Sequence, residues 1–261
     1  MNDFTGKVAV VTGGASGLGK ASASLFARRG ASVAILDIDQ KAGESAMKEI
    51  EGRGGRAVFI RCDVTDEAQV ERAMKEAVKA YGSLDILHAN AGIIDKPKFI
   101  SEISFADWRR IIDINLNGMF LAAKYGIGHM LAAGSGVVVF TGSNWAYVCD
   151  PGFSSYAASK GAVVAFARAL ALDHAKDNIR INVVCPGNMM TPLLERQLSQ
   201  EPDPTAALKK MGRISKPEEI ANLVAFLASD EASAMKGSAV VIDQGETLGY
   251  GKGLGPLPSG A

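Results

Sequence analysis

Short runs of apolar, mostly β-branched residues recur along the chain, and each run is nearly continuous rather than alternating with polar residues. Strands that are buried on both faces show this pattern, and they are typical of a parallel sheet covered by helices. The pattern predicts seven strands, at residues 7–12, 32–36, 56–61, 85–88, 137–140, 179–184 and 238–242.

The segments between these runs carry apolar residues at helical spacing. Within residues 68–78, for example, Val70, Ala73, Met74 and Ala77 would share one face of a helix. Strands that alternate with helices form right-handed βαβ units. The pattern therefore predicts an α/β fold, with one doubly wound sheet of seven parallel strands and helices on both faces.

No linker or block of charge divides the pattern, so we expect a single domain over residues 1–261. Residues 186–213 carry four prolines between two predicted strands. A loop of this length in a compact domain is often a lid over a binding site, and an ordinary surface loop is the alternative. Residues 249–261 are rich in Gly and Pro, which predicts a frayed terminus or a tail that reaches a neighbouring subunit.

The composition argues against several classes of function. The 28 Lys and Arg residues balance 28 Asp and Glu residues, whereas a protein that binds nucleic acid or an anionic membrane would show a basic excess. No apolar run approaches the ~18 residues of a membrane span. Three cysteines without a CxxC pair and three scattered histidines predict neither a disulfide framework nor a metal site. Because the amino terminus does not resemble a signal peptide, we expect a reducing compartment, most simply the cytoplasm.

The first predicted strand leads into a glycine-rich turn, Thr12-Gly-Gly-Ala-Ser-Gly-Leu-Gly19, and then into a helical segment. In such a turn the backbone amides come close to a phosphate at the positive end of the helix. A glycine-rich loop alone also makes ordinary turns, but its place between a strand and a helix favours a dinucleotide pyrophosphate. The candidate binding residues of this turn are Gly13, Ser16, Gly17, Leu18 and Gly19.

The second predicted strand is followed by Asp37, which lies 18 residues after Gly19. A carboxylate there can accept hydrogen bonds from both hydroxyls of an adenosine ribose, and it would repel the 2′-phosphate of NADP. We therefore expect NAD as the cofactor, with Asp37 and the adjacent Ile38 at its adenosine. The alternative is that Asp37 only caps the helix that begins near Asp39.

Several segments match the motifs of one family. The turn at residues 12–19 resembles the TGxxxGxG motif of short-chain dehydrogenases/reductases, Asn90-Ala91-Gly92 resembles their NAG motif, and Tyr156-Ala-Ala-Ser-Lys160 resembles their YxxxK active site. Ser143 and Asn115 stand where this family has the other members of its catalytic tetrad. Each motif is weak alone, but all of them in this order identify the chain as similar to that family.

The resemblance extends over roughly residues 5–245 and implies a Rossmann fold and an NAD-dependent alcohol dehydrogenase. It places Asp63 at the adenine, and Pro186-Gly187 with Thr191 at the nicotinamide carboxamide. The cofactor residues that it adds are Asp63, Val64, Asn90, Gly92, Tyr156, Lys160, Pro186, Gly187, Met189 and Thr191.

Tyr156 and Lys160 are four residues apart in an apolar helical segment, so they share one face of the helix. Alcohol oxidation needs a base, and a free tyrosine, with a pKa of about 10, is a poor one at neutral pH. A nearby ammonium group and a positive nicotinamide should both lower the pKa of Tyr156. The Ser143 hydroxyl would hold the substrate oxygen. By the resemblance, Asn115 is expected to hold a water molecule that links Lys160 to solvent. Taken alone, each of these four would be an ordinary surface, turn or helix residue.

Loops at residues 93–98, at 143–153 and from 188 onward should line a substrate pocket beyond the carboxyl ends of the strands. The candidate substrate residues are Ser143, Asn144, Trp145 and Met190. Their amphipathic and adaptable side chains fit a polyol, a sugar or a cyclic secondary alcohol. Two alternatives stay open, namely a carbonyl reductase of a hydrophobic ketone or steroid-like compound and a dinucleotide-binding scaffold without turnover.

The expected partners are a small alcohol or ketone and, by the resemblance, further copies of the chain in a homotetramer. The segment at residues 119–133 is apolar around much of its helical circumference, which fits burial on more than one side.

Three positions depart from the usual pattern of the family. Ala89-Asn90 replaces a pair of asparagines, and Asp243-Gln244-Gly245 replaces the common Asp-Gly-Gly. His88 occupies a strand position that is usually aliphatic, and we expect a buried neutral histidine with one nitrogen hydrogen bonded. None of these positions belongs to the tetrad.

Overall fold

A computed structural model describes residues 3–199, 202–211 and 213–249, and within them it has one sheet of seven parallel strands. The strands are β1 (Val8–Thr12), β2 (Ser32–Asp37), β3 (Arg56–Arg61), β4 (Ile86–Ala89), β5 (Gly136–Thr141), β6 (Ile179–Pro186) and β7 (Ala239–Ile242). Their order across the sheet is β3-β2-β1-β4-β5-β6-β7. The predicted fold class is confirmed, and each predicted strand ends within two residues of its observed bounds.

Helices cover both faces of this sheet. The α-helices of the described residues are α1 (Gly17–Arg28), α2 (Gln40–Glu51), α3 (Glu67–Tyr81), α4 (Phe105–Ile112), α5 (Gly118–Ala133), α6 (Ser154–Asp173), α7 (Pro192–Leu198), α8 (Pro204–Lys210) and α9 (Pro217–Ala228). Residues of α1, α2 and α9 form the core on one face, and residues of α3, α5 and α6 form the core on the other. In the part of the chain that the structure describes, no helix is long and apolar enough to cross a membrane.

The two cores explain why the strands read as continuous apolar runs. Successive side chains of a strand point to opposite faces of the sheet. In β1, Val10 therefore enters one core while Ala9 and Val11 enter the other, and none of the three is exposed. Full burial of one valine stabilises the fold by roughly 1.5–3 kcal/mol. The edge strand β3 differs, because Arg56 and Arg61 at its two ends are exposed.

Residues 186–213 differ from the irregular stretch that their prolines predict, since this segment contains α7 and α8. Both helices begin at a proline, where the missing N–H costs no hydrogen bond. Thr191 and Asp203 cap them by accepting hydrogen bonds from backbone N–H groups. The lid role of this segment stays a prediction. Of the predicted tail at 249–261, all but Gly249 lies outside the described residues.

The order of the strands creates a crevice between β1 and β4, because the chain leaves β1 toward one edge of the sheet and continues from β4 toward the other. Ligands of doubly wound sheets bind at such a switch point, beyond the carboxyl ends of the strands. The two strand ends are joined here by the Thr12 hydroxyl, which accepts hydrogen bonds from the N–H groups of Asn90 (2.9 Å) and Ala91 (3.1 Å).

Candidate active site

A cavity of about 470 Å³ lies at this crevice, and its volume is in the range of small-molecule binding sites. The glycine-rich turn, the ends of several strands and the start of α7 form its wall. The structure brings the following predicted cofactor residues together on this wall: Gly13, Ser16, Gly17, Leu18, Asp37, Ile38, Asp63, Val64, Asn90, Gly92, Tyr156, Lys160, Pro186, Gly187, Met189 and Thr191.

Glycine is required at two kinds of position in the turn. Gly13 and Gly17 adopt left-handed backbone conformations, with φ of 63° and 50°. Gly19 is not on the cavity wall but lies behind the turn, where a Cβ atom would be 2.0 Å from the carbonyl oxygen of Gly13. Asn90 also holds this turn, because its Nδ2 donates to the carbonyl oxygens of Thr12 (3.2 Å) and Gly13 (3.3 Å).

Asp37 is bonded to the turn and does not cap α2. Its Oδ2 accepts a hydrogen bond from Ala15 N–H and its Oδ1 accepts one from Asp39 N–H, both at 3.0 Å. The cap of α2 is Asp39, whose side chain accepts from Ala42 N–H. Asp37, Asp39 and Asp63 all line the cavity, so this part of its wall is acidic.

The predicted catalytic pair lies on α6. Lys160 Nζ is 5.7 Å from the centre of the Tyr156 ring, and it donates a hydrogen bond to the carbonyl oxygen of Thr141 at 2.9 Å. Gly92 lies beside the ammonium group, since a Cβ atom there would be 3.4 Å from Lys160 Nζ. Lys160 is 3% exposed, and burial lowers its pKa to about 8. An ammonium group with this pKa can release and regain a proton near neutral pH.

The pKa of Tyr156 differs from the sequence-based expectation. Burial raises it to about 12, and a hydrogen bond with Ser143 opposes this increase. The expected lowering depended on two positive charges, those of Lys160 and of an oxidised nicotinamide. Desolvation of the phenol outweighs the stabilisation that the protein alone gives to its ionised form.

Asn115 is fully buried in a π-helical turn (Asp113–Asn117) between α4 and α5. Such turns are often found at functional sites. Its Oδ1 accepts from Ile93 N–H at 2.8 Å, and its Nδ2 donates to Ile93 O at 2.9 Å and to Ser159 Oγ at 3.1 Å. The amide therefore fixes the backbone next to Gly92, which separates Asn115 from Lys160.

Only one of the four candidate substrate residues lies on the cavity wall. Ser143 lines the cavity. The ring of Trp145 packs edge-to-face on Tyr156, with 5.7 Å between the ring centres, so it lies beside the predicted catalytic pair. Asn144 and Met190 are not on the cavity wall. Asn144 is 2% exposed and its amide is turned toward acidic side chains, whereas Met190 is 40% exposed.

His88 is the buried neutral histidine that the sequence predicts. Its Nε2 lies 2.9 Å from Thr141 Oγ1, and its Nδ1 has no hydrogen-bond partner among the described residues. Thr141 donates its hydroxyl hydrogen to Asn90 Oδ1, so it accepts from His88, and Nε2 is the protonated nitrogen. Burial lowers the pKa of His88 to about 3.

Sequence reasoning missed several residues of this region, among them Thr141 and Glu246. Thr141 positions Lys160 through its carbonyl oxygen, a role that residue type does not reveal. Glu246 lies next to Asn144 and Asn188 although it is 102 residues from the former. Among the described residues no group of His, Cys, Asp and Glu could hold a metal ion.

Comparisons with known proteins identify the family of the chain. A family described as enoyl-(acyl carrier protein) reductase matches residues 13–247. The chain is 43% identical to a cis-4-hydroxycyclohexanecarboxylate dehydrogenase of Sinomonas cyclohexanicum, over 94% of this chain and 98% of that protein. It is 38% identical to a cyclohexanol dehydrogenase of Acinetobacter sp. (strain SE19), over 93% and 95%. A short-chain type dehydrogenase/reductase from Mycobacterium marinum superposes with a TM-score of 0.88 at 36% identity, over 93% and 96%.

Proposed function

The chain belongs to the short-chain dehydrogenase/reductase family of oxidoreductases, and on this premise we propose that it oxidises a secondary alcohol on a carbon ring to the ketone, with NAD as the hydride acceptor. The observation that carries this proposal is one cavity whose wall contains Ser143, Tyr156 and Lys160 together with the glycine-rich turn and Asp37. A scaffold without turnover would not need the first three.

The residues of the cavity fit a dinucleotide. The left-handed glycines leave the backbone of the turn bare, and a Cβ atom at Gly17 would lie 3.3 Å from Thr191. Asp37 favours NAD over NADP, because its carboxylate would face the 2′ position of the ribose. Asp39 and Asp63 on the same wall add to the repulsion of a further phosphate. An oxidised nicotinamide would supply the hydride acceptor at the opposite end.

The choice of a cyclic alcohol rests on the relatives and on the apolar side chains of the cavity and around Tyr156. Two of the similar proteins are named for alcohols on a cyclohexane ring. Ile93, Met189 and Leu193 contribute apolar surface to the cavity, and Trp145 lies against Tyr156. A six-membered carbon ring with a single hydroxyl fits such a wall better than a sugar, whose many hydroxyls would lose hydrogen bonds to water.

Tyr156 is the base in this mechanism. Its phenolate oxygen accepts the proton of the alcohol, while the Ser143 hydroxyl donates a hydrogen bond to the same substrate oxygen and holds it in place. Lys160 has three N–H donors, of which one is bonded to Thr141 O. The other two are available to the ribose of a bound cofactor and to the phenolate. Asn115 holds the Ile93 backbone from which a water molecule could carry the proton away from Lys160.

Oligomerisation is part of the proposal. Phe120 and Leu131 on α5 are each 46% exposed, and Leu172 on α6 is 76% exposed. These apolar side chains support pairing of α5 and α6 between subunits in a homotetramer. Light scattering on the purified protein measures the mass directly, and a monomer would contradict this part.

The test is a screen for nicotinamide reduction. Purified protein is mixed with NAD or NADP and with cyclohexanols, open-chain secondary alcohols, sugars and steroid alcohols, and absorbance of the reduced nicotinamide is followed. We expect turnover with NAD and cyclohexanols in the wild type and no turnover in Tyr156→Phe. The tryptophan fluorescence of this variant should still be quenched when it binds NAD. Equal turnover in Tyr156→Phe would contradict the mechanism, and a preference for NADP would contradict the role of Asp37.

A further inference from the structure

The carboxylate of Glu246 joins two loops of the site without lying among the tetrad residues. Its Oε2 accepts a hydrogen bond from Asn144 Nδ2 at 2.7 Å, and its Oε1 accepts one from Asn188 Nδ2 at 3.1 Å. Asn144 directly follows Ser143, and Asn188 directly follows Gly187 on the cavity wall. One side chain thus connects the loop of the substrate-binding serine with a loop of the cofactor cavity.

A carboxylate suits this position because of its hydrogen-bonding chemistry. An ionised glutamate accepts through both oxygens and donates nothing, so it serves two amide NH₂ groups at once. A glutamine would offer one oxygen and one NH₂ group, and that NH₂ would oppose the NH₂ of Asn144 or Asn188. Asp243, which is 6% exposed, brings a second carboxylate to within 3.4 Å of Asn144 Nδ2.

These two carboxylates determine which way the Asn144 amide faces. With Nδ2 toward Glu246 and Asp243, Oδ1 faces the other side, where Ser143 Oγ lies 3.4 Å away. The reversed amide would place Oδ1 against two carboxylates. Ser143 Oγ also accepts from Trp145 N–H at 3.1 Å. Its oxygen is therefore held on two sides, while its long bond to Oδ1 leaves the hydroxyl hydrogen able to turn toward a substrate.

A tight turn that begins at Asp243 places Glu246 between the amides of Asn144 and Asn188. Asp243 accepts hydrogen bonds from Gly245 N–H at 3.0 Å through Oδ1 and from Thr247 N–H at 2.8 Å through Oδ2. Gln244 has a φ of 60°, and it is the one non-glycine residue in the described part of the chain with a left-handed backbone. A left-handed backbone is unfavourable for a residue with a Cβ atom, and its presence here indicates that the surrounding contacts hold this turn firmly.

We propose that Glu246 is a positioning residue: its carboxylate fixes the amides of Asn144 and Asn188, and it thereby keeps Ser143 Oγ in register with the cofactor loop. This inference rests on the proposed function, because Ser143 is given its role by alcohol oxidation. Glu246 acts through Asn144 and does not touch the substrate.

The test compares Glu246→Gln with the matched control Thr247→Val, which changes the next side chain and leaves both bonds of Glu246 in place. We expect kcat for alcohol oxidation to fall about tenfold in E246Q, with KM for the alcohol changed less than about threefold, because a small displacement of a catalytic group mainly raises the barrier. The acid limb of the pH profile of kcat/KM, which reports the free enzyme, should move to higher pH, since the Ser143 hydrogen bond that lowers the pKa of Tyr156 is weakened. T247V should match the wild type.

A double-mutant comparison identifies the route of the effect. In an Asn144→Ala background, E246Q should change kcat by less than about twofold, because residues that act through one another are not additive. An unchanged kcat in E246Q, or a full additional loss in the N144A background, would overturn the proposal. If E246Q does not fold, Glu246→Asp keeps the charge but is one methylene shorter, and the same measurements apply to it.

Failure of the proposed function gives a different result. Wild-type turnover is measured first, and its absence with every alcohol despite NAD binding would count against the dehydrogenase. The positioning role is then read from crystal structures of the wild type and E246Q, which need no turnover. A displaced Ser143 Oγ or a rotated Asn144 amide in E246Q supports the role, and an unmoved pair refutes it.

Discussion

Acid should destabilise the protein through His88, a residue with no part in the proposed chemistry. The imidazole is fully buried, and its protonated nitrogen, Nε2, already donates to Thr141. A second proton would have to reside on Nδ1, which has no partner among the described residues. For this reason the pKa of His88 is lowered from 6.5 to about 3 in the folded protein.

The magnitude follows from proton linkage. Between pH 6.5 and pH 3 the unfolded chain binds a proton at His88 and the folded protein does not. The stabilisation is therefore fully present above pH 6.5 and is lost as the pH falls, by about 1.4 kcal/mol for each pH unit. From pH 6.5 to pH 5 this amounts to about 2 kcal/mol of unfolding free energy from one side chain.

Urea unfolding at several pH values between 5 and 7 measures this loss. His88→Val removes the titrating group, so the free energy of unfolding of H88V should fall less steeply with acid than that of the wild type, whatever its stability at pH 7. Thr141→Val is the matched control, because it removes the hydrogen-bond partner and keeps the buried imidazole. Parallel pH dependence in the wild type and H88V would refute the reasoning, since carboxylates would then account for all of the acid sensitivity.

The remaining predictions concern the cavity. Asp37→Ser should improve the kcat/KM ratio of NADP to NAD by about tenfold or more, because it removes the charge that faces the 2′-phosphate, and parallel cofactor titrations measure it. Gly19→Ala should raise the Kd for NAD and lower the melting temperature, since its Cβ would meet Gly13 O at 2.0 Å; Gly128→Ala, with open space around its Cβ, should do neither. Because the pKa of Tyr156 is raised to about 12, its tyrosinate fraction increases about tenfold with each unit by which the pH rises toward that pKa. Alcohol oxidation should therefore speed up from pH 6 to pH 9, whereas ketone reduction should change little because Tyr156 stays almost fully protonated over that range, and rate profiles in the two directions check both trends.

The sequence predicts the sheet well because its physical cause is local. A strand such as β1, which is buried on both faces, is apolar at four of its five positions, and its one polar residue, Thr12, is hydrogen bonded at the carboxyl end. The helices α7 and α8 were not predictable in the same way, since Pro192 and Pro204 break a helix in its interior but start one at its first turn. Which case applies depends on capping and packing that the residue types alone do not fix.

The candidate site likewise has a part that local sequence predicts and a part that depends on the assembled fold. Tyr156 and Lys160 are one helical turn apart, so their spacing already places them together. The contact of Asn144 with Glu246 spans 102 residues and exists only once β6 and β7 are in place, and no local pattern indicates it. The raised pKa of Tyr156 has the same origin, because desolvation is a property of the assembled fold.

The cofactor cavity is assembled from residues as far apart as Gly13 and Arg196. A chain emerging from the ribosome would therefore have to extend beyond Thr191 before it could bind a dinucleotide in the complete cavity, since the wall includes Pro186 and Thr191. Once complete, it gains stability from the ligand, by about 2.7 kcal/mol when the free dinucleotide exceeds its Kd a hundredfold. Abundance of the dinucleotide in the cell would thus lengthen the time for which a folded molecule escapes proteolysis, while giving no such protection to chains that end before Thr191.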